Sequence, residues 1–330
     1  MELLKMLQQD IPLTERPFEF IAKELGVTEK EVLNQIKKLK EEKLIRQISP
    51  IYDTRKAGYD SALVAFKVSK ENVGKAVEII NSYPGVSHNY EREDEFNVWF
   101  TIAVPPNGSL SLEEVVHLMA KKAGVEDYAI LRTKRTFKIG VKLTFNSLFE
   151  REEKVPEVKE DMPVNLQEEE KVVIRETQKD IPLVERPFKE IAQKIGLEEG
   201  EVIEILKKLK EKKVMRRFSA ILFHRRAGFK ANGMAVWSVE QDKVEEIGRF
   251  LASFKAVSHC YERTTNGKWK YNLFSMIHGR EKEEVLEFCK YVSREKGLVN
   301  YKVLFSKREF KKKRIELFSE EFYQWERFNL

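Results

Sequence analysis

The sequence predicts an α+β protein built from two tandem copies of one unit. Each copy is a winged helix-turn-helix followed by a ferredoxin-like βαββαβ domain, and the two copies are expected to pair within the chain as a pseudo-dimer. Three observations predict this. Asp10-Ile-Pro-Leu-Thr-Glu-Arg-Pro-Phe18 returns as Asp180-Ile-Pro-Leu-Val-Glu-Arg-Pro-Phe188, and Val86-Ser-His-Asn-Tyr-Glu-Arg92 returns as Val257-Ser-His-Cys-Tyr-Glu-Arg263. A repeat near 170 residues is a whole domain set rather than a solenoid unit. In both copies a stretch of helical periodicity precedes one that alternates between strand and helix patterns. The 330 residues, 42% of them hydrophobic, suffice for two cores. The expected divisions are a head over 1–55, a body over 56–146, a linker over 147–170, a second head over 171–225, and a second body with the C-terminal tail over 226–330.

In the first head, Pro17 suits a first helical turn, and Phe18, Ile21, Ala22 and Leu25 recur at helical spacing before Gly26. Thr28 and Glu31 form a capping-box pattern for a second helix carrying Val32, Ile36 and Leu39 on one face. Leu44–Ile48 reads as a wing strand. The same order recurs over about 171–222. The body then reads as a strand at 62–66, a helix at 71–82 and a hairpin of 86–91 with 97–103. A helix at 112–122, stopped by Gly124, and a last strand at 127–137 complete it. The second copy repeats this from about 233 to 311, with a longer hairpin loop at Thr264–Lys270. The aromatic tail Phe318–Leu330 is expected to pack on its own body.

Net charge is +6, and residues 147–170 hold nine acids against three bases, so the remainder carries +12. A basic body suits nucleic acid, phosphates or a polycarboxylate. No apolar run approaches the roughly 18 residues of a membrane span, and no membrane partner is expected. Cys260 and Cys289 make neither a disulfide framework nor a thiolate zinc set. With no secretory pattern at the N-terminus, a cytoplasmic location is expected.

Helix-turn-helix heads invite a DNA-binding reading, which the charges disfavour. The second helix of each head should present its N-terminal residues to DNA. That end holds Glu29 and Glu31 in one copy and Glu198, Glu199, Glu201 and Glu204 in the other. Carboxylates there would face the phosphates and forfeit counterion release.

Five histidines are present: His88, His117, His224, His259 and His278. None has zinc-site spacing, and no Gly-rich phosphate loop or Gly-x-Ser-x-Gly elbow occurs. His88 and His259 occupy equivalent places on the first hairpin strand. Alternation puts His259, Tyr261 and Arg263 on one face and Ser258, Cys260 and Glu262 on the other. The first set is either an anion-binding stripe or a cross-strand polar ladder. His224 replaces Thr54 of the first copy and is followed by Arg225 and Arg226; His278 replaces Ala103. The second copy thus gains imidazoles where the first has none.

These residues carry a family resemblance that covers nearly the whole chain. Gly85-Val-Ser-His-Asn-Tyr90 and Asn97-Val-Trp-Phe100 in the first half resemble one subunit of the siroheme decarboxylases, a branch of the Lrp/AsnC-like fold. His224-Arg-Arg-Ala-Gly-Phe229, Val257-Ser-His-Cys-Tyr261 and Tyr271-Asn-Leu-Phe-Ser-Met-Ile-His-Gly279 resemble its partner subunit. Where this family often has Trp-Pro-Tyr-Asn, the chain has Trp269-Lys-Tyr-Asn272. The resemblance implies a carboxy-lyase acting on siroheme. Carbon dioxide would leave the acetates at ring positions 12 and 18 to give 12,18-didecarboxysiroheme, for haem or haem d1 biosynthesis. No cofactor is implied beyond the iron of the substrate, which His224 or His259 would ligate.

On this resemblance His224 and His259 are the expected catalytic pair, one meeting iron and the other acting on the acetate, in either order. Arg225, Arg226, Tyr261, Arg263, Trp269, Tyr271, Asn272, His278, His88 and Arg92 are the expected substrate contacts. Trp237, Trp269, Phe274 and Met234 are expected either to line an apolar slot or to be core. One competent site is expected, mainly from the second body and completed by the first; assembly beyond the pseudo-dimer is open. The alternatives are an Lrp/AsnC-type transcription regulator and a haem-binding sensor without turnover.

Overall fold

The computed structural model describes residues 2–140, 144–160, 162–223 and 228–330. His224, Arg225 and Arg226 lie outside the described residues.

The first head comprises α1 (Glu2–Leu7), α2 (Pro17–Leu25), α3 (Glu29–Glu41) and the wing β1 (Ile45–Tyr52). Pro17 opens α2, and Gly26 closes it in the left-handed region at φ 67°. The capping box forms: the Thr28 hydroxyl accepts from the Glu31 amide at 3.2 Å, and the Glu31 carboxylate accepts from the Thr28 amide at 2.7 Å. The first body follows as β2 (Asp60–Phe66), α4 (Val73–Asn81), β3 (Val86–Arg92), β4 (Val98–Val104), α5 (Leu112–Ala123), β5 (Tyr128–Leu131) and β6 (Thr133–Lys138). The second copy repeats the plan. Its head is α6 (Glu168–Thr177), α7 (Pro187–Ile195), α8 (Glu199–Glu211) and β7 (Met215–Leu222). Its body is β8 (Ala231–Trp237), α9 (Val244–Ala252), β9 (Val257–Arg263), β10 (Leu273–Gly279), α10 (Lys282–Lys296) and β11 (Tyr301–Lys312), and α11 (Glu320–Asn329) ends the chain. Helix α6 begins inside the stretch read as linker, where Glu168–Glu170 suit the positive end of a helix.

The copies exchange their last strands. The segment read as one strand at 127–137 divides: β5 pairs with β2 of its own body, whereas β6 pairs with β9 of the other. In β11, Tyr301–Phe305 pairs with β8, and Ser306–Lys312 crosses to β3 of the first copy. The result is one nine-stranded order, β5-β2-β4-β3-β11-β8-β10-β9-β6. Its central seam is apolar. Trp99 and Phe96 of the first body meet Trp269 of the second edge-on, with centroids 5.0 and 5.8 Å apart.

The exchange corrects the expectation for the tail. Because β11 ends on the first copy, α11 packs there: Trp325 lies 4.8 Å from Tyr83, and Phe322 lies 5.9 Å from Tyr59. The Phe318 amide donates to the Tyr59 hydroxyl at 2.6 Å. In return, Phe145 and Leu148, which follow β6, are buried in the core of the second body.

The heads are joined by the repeated motif itself. Wings β1 and β7 pair antiparallel as a separate two-stranded sheet. Asp10 accepts from the Phe218 amide on β7, and Asp180 accepts from the Ile48 amide on β1, each at 3.0 Å. Lys210 and Lys40 pair with the same two carboxylates. Glu15 reaches Arg186 at 3.3 Å, and Glu185 reaches Arg16 at 3.4 Å. Glu29 and Glu199, at the ends of α3 and α8 that would face DNA, are bound by Arg16 and Arg186.

Candidate active site

Strands β9 and β3 carry the two histidine stripes, and both are bulged at the same place. Pairing of β10 with β9 jumps from Met276↔His259 to Ile277↔Val257, leaving Ser258 extra; β3 does the same at Ser87. A bulge re-aims side chains. The Ser258 hydroxyl, placed by simple alternation on the opposite face, thereby reaches His259 Nδ1 at 2.8 Å. Ser87 reaches His88 Nδ1 at 2.9 Å.

Beyond the bulge the alternation holds. His259 stacks with Tyr261 at 6.1 Å, and Arg263 lies 4.7 Å over the Tyr261 ring. His88, Tyr90 and Arg92 repeat this arrangement at 6.4 and 5.5 Å. Both arginines are sunk into the protein with no carboxylate partner among the described residues. Arg263 Nη1 donates to the Leu131 carbonyl and Thr133 hydroxyl, and Arg92 Nη1 donates to the Leu304 carbonyl. Each Nε is buried with no partner among the described residues. Burial pushes both guanidiniums down to about 10. Burial, then Arg263, His88 and Lys138, lowers His259; burial and Lys312 lower His88 against an opposing pull from Glu309. The stripes differ at one facing position: Tyr90 donates to the Glu309 carboxylate at 3.2 Å, whereas Thr136 faces Tyr261.

A cavity of about 950 Å³ lies between the paired wings and the crossing strands, near the top of the roughly 300–1,000 Å³ usual for small-molecule sites. His88, Ser87 and Thr136 line it, as do Arg46 and Arg55 from the first copy and Lys312, Lys313 and Arg314 after the crossing of β11. Among the described residues its wall holds ten lysines and arginines against two carboxylates, Asp53 and Glu160. Arg314 is held below its ordinary value by desolvation and then by Arg46, Arg217 and Arg216. A wall of mutually repelling cations is stabilised by a bound polyanion. The second stripe lies next to this cavity, because Thr136 of its wall pairs with Tyr261 across β6 and β9.

Similarity to known proteins agrees with this arrangement. The model of the AsnC-like ligand binding domain matches residues 56–138 and 226–311, and that of the siroheme decarboxylase NirDL-like HTH domain matches 1–46 and 170–216. A siroheme decarboxylase of Hydrogenobacter thermophilus is 52% identical over 98% of this chain and 96% of its own. The chain belongs to the siroheme decarboxylase family. A siroheme decarboxylase NirDL subunit of Paracoccus pantotrophus is 32% identical, covering 95% of both chains. The crystal structure of the siroheme decarboxylase NirDL in co-complex with an iron-uroporphyrin III analogue matches with TM-score 0.82 and 46% identity, over 99% of this chain and 97% of that one.

Within this siroheme decarboxylase fold, the expected residues fall into three groups. His88 lines the large cavity, with Tyr261 next to its Thr136 wall and His259 two residues along the same face. His278 is buried behind His259, bonded to Ser258 at 2.6 Å and to Asn232 at 2.9 Å. Trp269, Tyr271 and Asn272 are not brought to the cavity. Trp269 is sealed in the aromatic seam, and Tyr271 packs beside it. Asn272 clamps both backbone groups of Val239 and, with Arg263, lines a smaller cavity of about 350 Å³. Trp237, Phe274 and Met234 are buried as well, the core alternative of the two expected for them. Arg92 is absent from the cavity wall, shielded under Leu304. Sequence reasoning missed Arg46, Arg55 and the run Lys311-Lys-Lys-Arg314. The run itself was the available signal: four consecutive cations at the end of an amphipathic strand have no solvated-helix explanation.

Proposed function

We propose that the chain decarboxylates siroheme, removing carbon dioxide from the C12 and C18 acetates to give 12,18-didecarboxysiroheme. The observation that carries this reading is the cationic cavity with His88 in its wall and the His259 strand β9 paired to its wall residue Thr136. Siroheme bears eight carboxylates, and arginines and lysines grip carboxylates by charge-assisted hydrogen bonds. Each loss of carbon dioxide leaves an electron pair on the side-chain carbon, which the macrocycle delocalises until a proton arrives. Histidine is suited to deliver that proton near neutral pH. In this reading one imidazole of the His224 and His259 pair meets the substrate iron and the other serves the acetate. His88, Tyr261 and Arg263 help hold the ring, and no cofactor beyond the substrate iron takes part.

The test is anaerobic incubation of the purified chain with siroheme, read by mass spectrometry. Two successive losses of carbon dioxide are expected. A bound but unaltered pigment would make the protein a sensor, and no binding would overturn the reading altogether. His259→Ala is expected to slow turnover by roughly a hundredfold or more if His259 gives the proton. Charge reversal at Lys312 and Lys313 together should raise KM more than it lowers kcat, since both act on carboxylates in ground and transition state alike.

A further inference from the structure

The bulge at Ser258 begins a chain of hydrogen bonds that the first copy lacks. Ser258 Oγ touches His259 Nδ1 at 2.8 Å and His278 Nε2 at 2.6 Å, and His278 Nδ1 touches the Asn232 side chain at 2.9 Å. Ser258 and His278 are buried, whereas Asn232 is exposed. The chain therefore runs from solvent to the ring beside the cavity. His259 Nδ1 is engaged at its inner end, and Nε2 has no partner among the described residues. In the first copy Ser87 meets Thr101 at 2.7 Å, and Ala103 and Ser61 stand where His278 and Asn232 stand in the second. That chain stops at Thr101, with no imidazole to carry it further.

We propose that Ser258 and His278 are a proton relay that reloads His259 from solvent at each decarboxylation; this rests on the reading of His259 as the proton donor of a decarboxylating site. The atoms balance. When the C–CO2 bond breaks, its electron pair stays on the acetate-derived carbon, and that carbon takes the His259 Nε2 proton to become a methyl group. His259 Nδ1 takes the Ser258 hydroxyl proton, Ser258 takes the Nε2 proton of His278, and His278 Nδ1 takes one from solvent at the Asn232 end. The net change is one solvent proton transferred to carbon per carbon dioxide released, with no oxidant. Both rings end as the opposite tautomer, and reversal of the hydroxyl and ring protons readies the chain for the second acetate. Asn232 Oδ1 faces Nδ1 and accepts from it in the spent state, and in the loaded state the amide turns so that its NH2 donates to the unprotonated Nδ1. Ser258 and His278 touch no substrate, so both are positioning residues.

The test uses the full chain with Ser258→Ala and Ser258→Thr. Siroheme affinity is measured by absorbance, single-turnover decarboxylation in H2O and D2O, and ring tautomers by 15N NMR of histidine-labelled protein without pigment. Ser258→Ala is expected to bind siroheme as the wild type does, decarboxylate it roughly tenfold or more slowly, and lose part of the solvent isotope effect. Its His259 nitrogen signals should shift from one tautomer to an averaged mixture. Ser258→Thr should restore both rate and signals. An unchanged rate in Ser258→Ala overturns the relay, as does a rate loss matched by an equal loss of affinity or one that threonine fails to rescue. If the wild type itself leaves siroheme intact, the decarboxylase reading fails instead. The nitrogen signals then still decide whether Ser258 governs His259: unchanged signals in Ser258→Ala refute the coupling.

Discussion

At the residue scale the second copy is distinguished by a buried imidazole held neutral. Burial, and then the neighbouring His259, pushes His278 down to about 4. An unfolded histidine titrates near 6.5, so between roughly pH 6.5 and 4 the unfolded chain binds a proton that the native chain refuses. The stabilisation due to neutral His278 is complete above that window and is lost as pH falls through it. Between pH 7 and pH 4.5 the loss should amount to roughly 2–3 kcal/mol. Urea midpoints at pH 7 and pH 4.5 measure it: His278→Gln should narrow the gap between the two, and an equal gap in wild type and variant would refute the assignment. The histidines themselves were legible, His259 as the counterpart of His88 in the repeated motif and His278 where the copies diverge. Their linkage was not. Period-2 alternation sends Ser258 away from His259, and only the bulge, a two-against-one pairing set by β10, brings the hydroxyl back. The cavity arginines were hidden for another reason: Arg46, Arg216 and Arg314 come from three distant segments that meet only after the wings pair.

At the element scale the most faithfully repeated stretch is a clamp between heads. The helices, caps and wings were readable because each obeys a local rule, as the Thr28–Glu31 box does. A repeat within one chain does not reveal whether a motif serves its own copy or the other one, because both arrangements preserve the same residues. Asp10 and Asp180 serve the other copy, each satisfying an amide on the opposite wing. Removing such an acceptor costs about 1–3 kcal/mol when the amide is left without a partner. Asp10→Ala and Asp180→Ala should each lower the unfolding free energy read from urea denaturation by an amount in that range. The double variant should fall short of the sum, because both act on one wing pair. Full additivity would mean that the wings contribute independently. The same clamp binds Glu29 and Glu199 through Arg16 and Arg186, which fits heads kept for assembly more than for reading DNA.

At the scale of the whole molecule the exchange of strands makes each half part of the other's fold. The duplication and the two-body plan were visible in the sequence, but the crossing was not. The stretch 127–137 reads as one continuous strand, and its change of partner at Arg132 leaves no periodic mark. The tail shows what the crossing does. Since Ser306–Lys312 lies on β3, the chain is delivered to the first body, and Phe322 and Trp325 close over Tyr59 and Tyr83. Glu326 also accepts from the Ser109 amide and hydroxyl, holding the loop before α5. Deleting residues 318–330 should therefore loosen the body farther away in sequence. Hydrogen exchange on the truncated chain is expected to accelerate in α4 and at Tyr59, while α9 and α10, packed on their own sheet and on Phe145 and Leu148, keep their protection. Faster exchange confined to α9 and α10 would show that the tail stabilises its own copy and that the reciprocal packing is wrong. Loss of protection in the first body alone would tie the wall carrying His88 to the last thirteen residues of the chain.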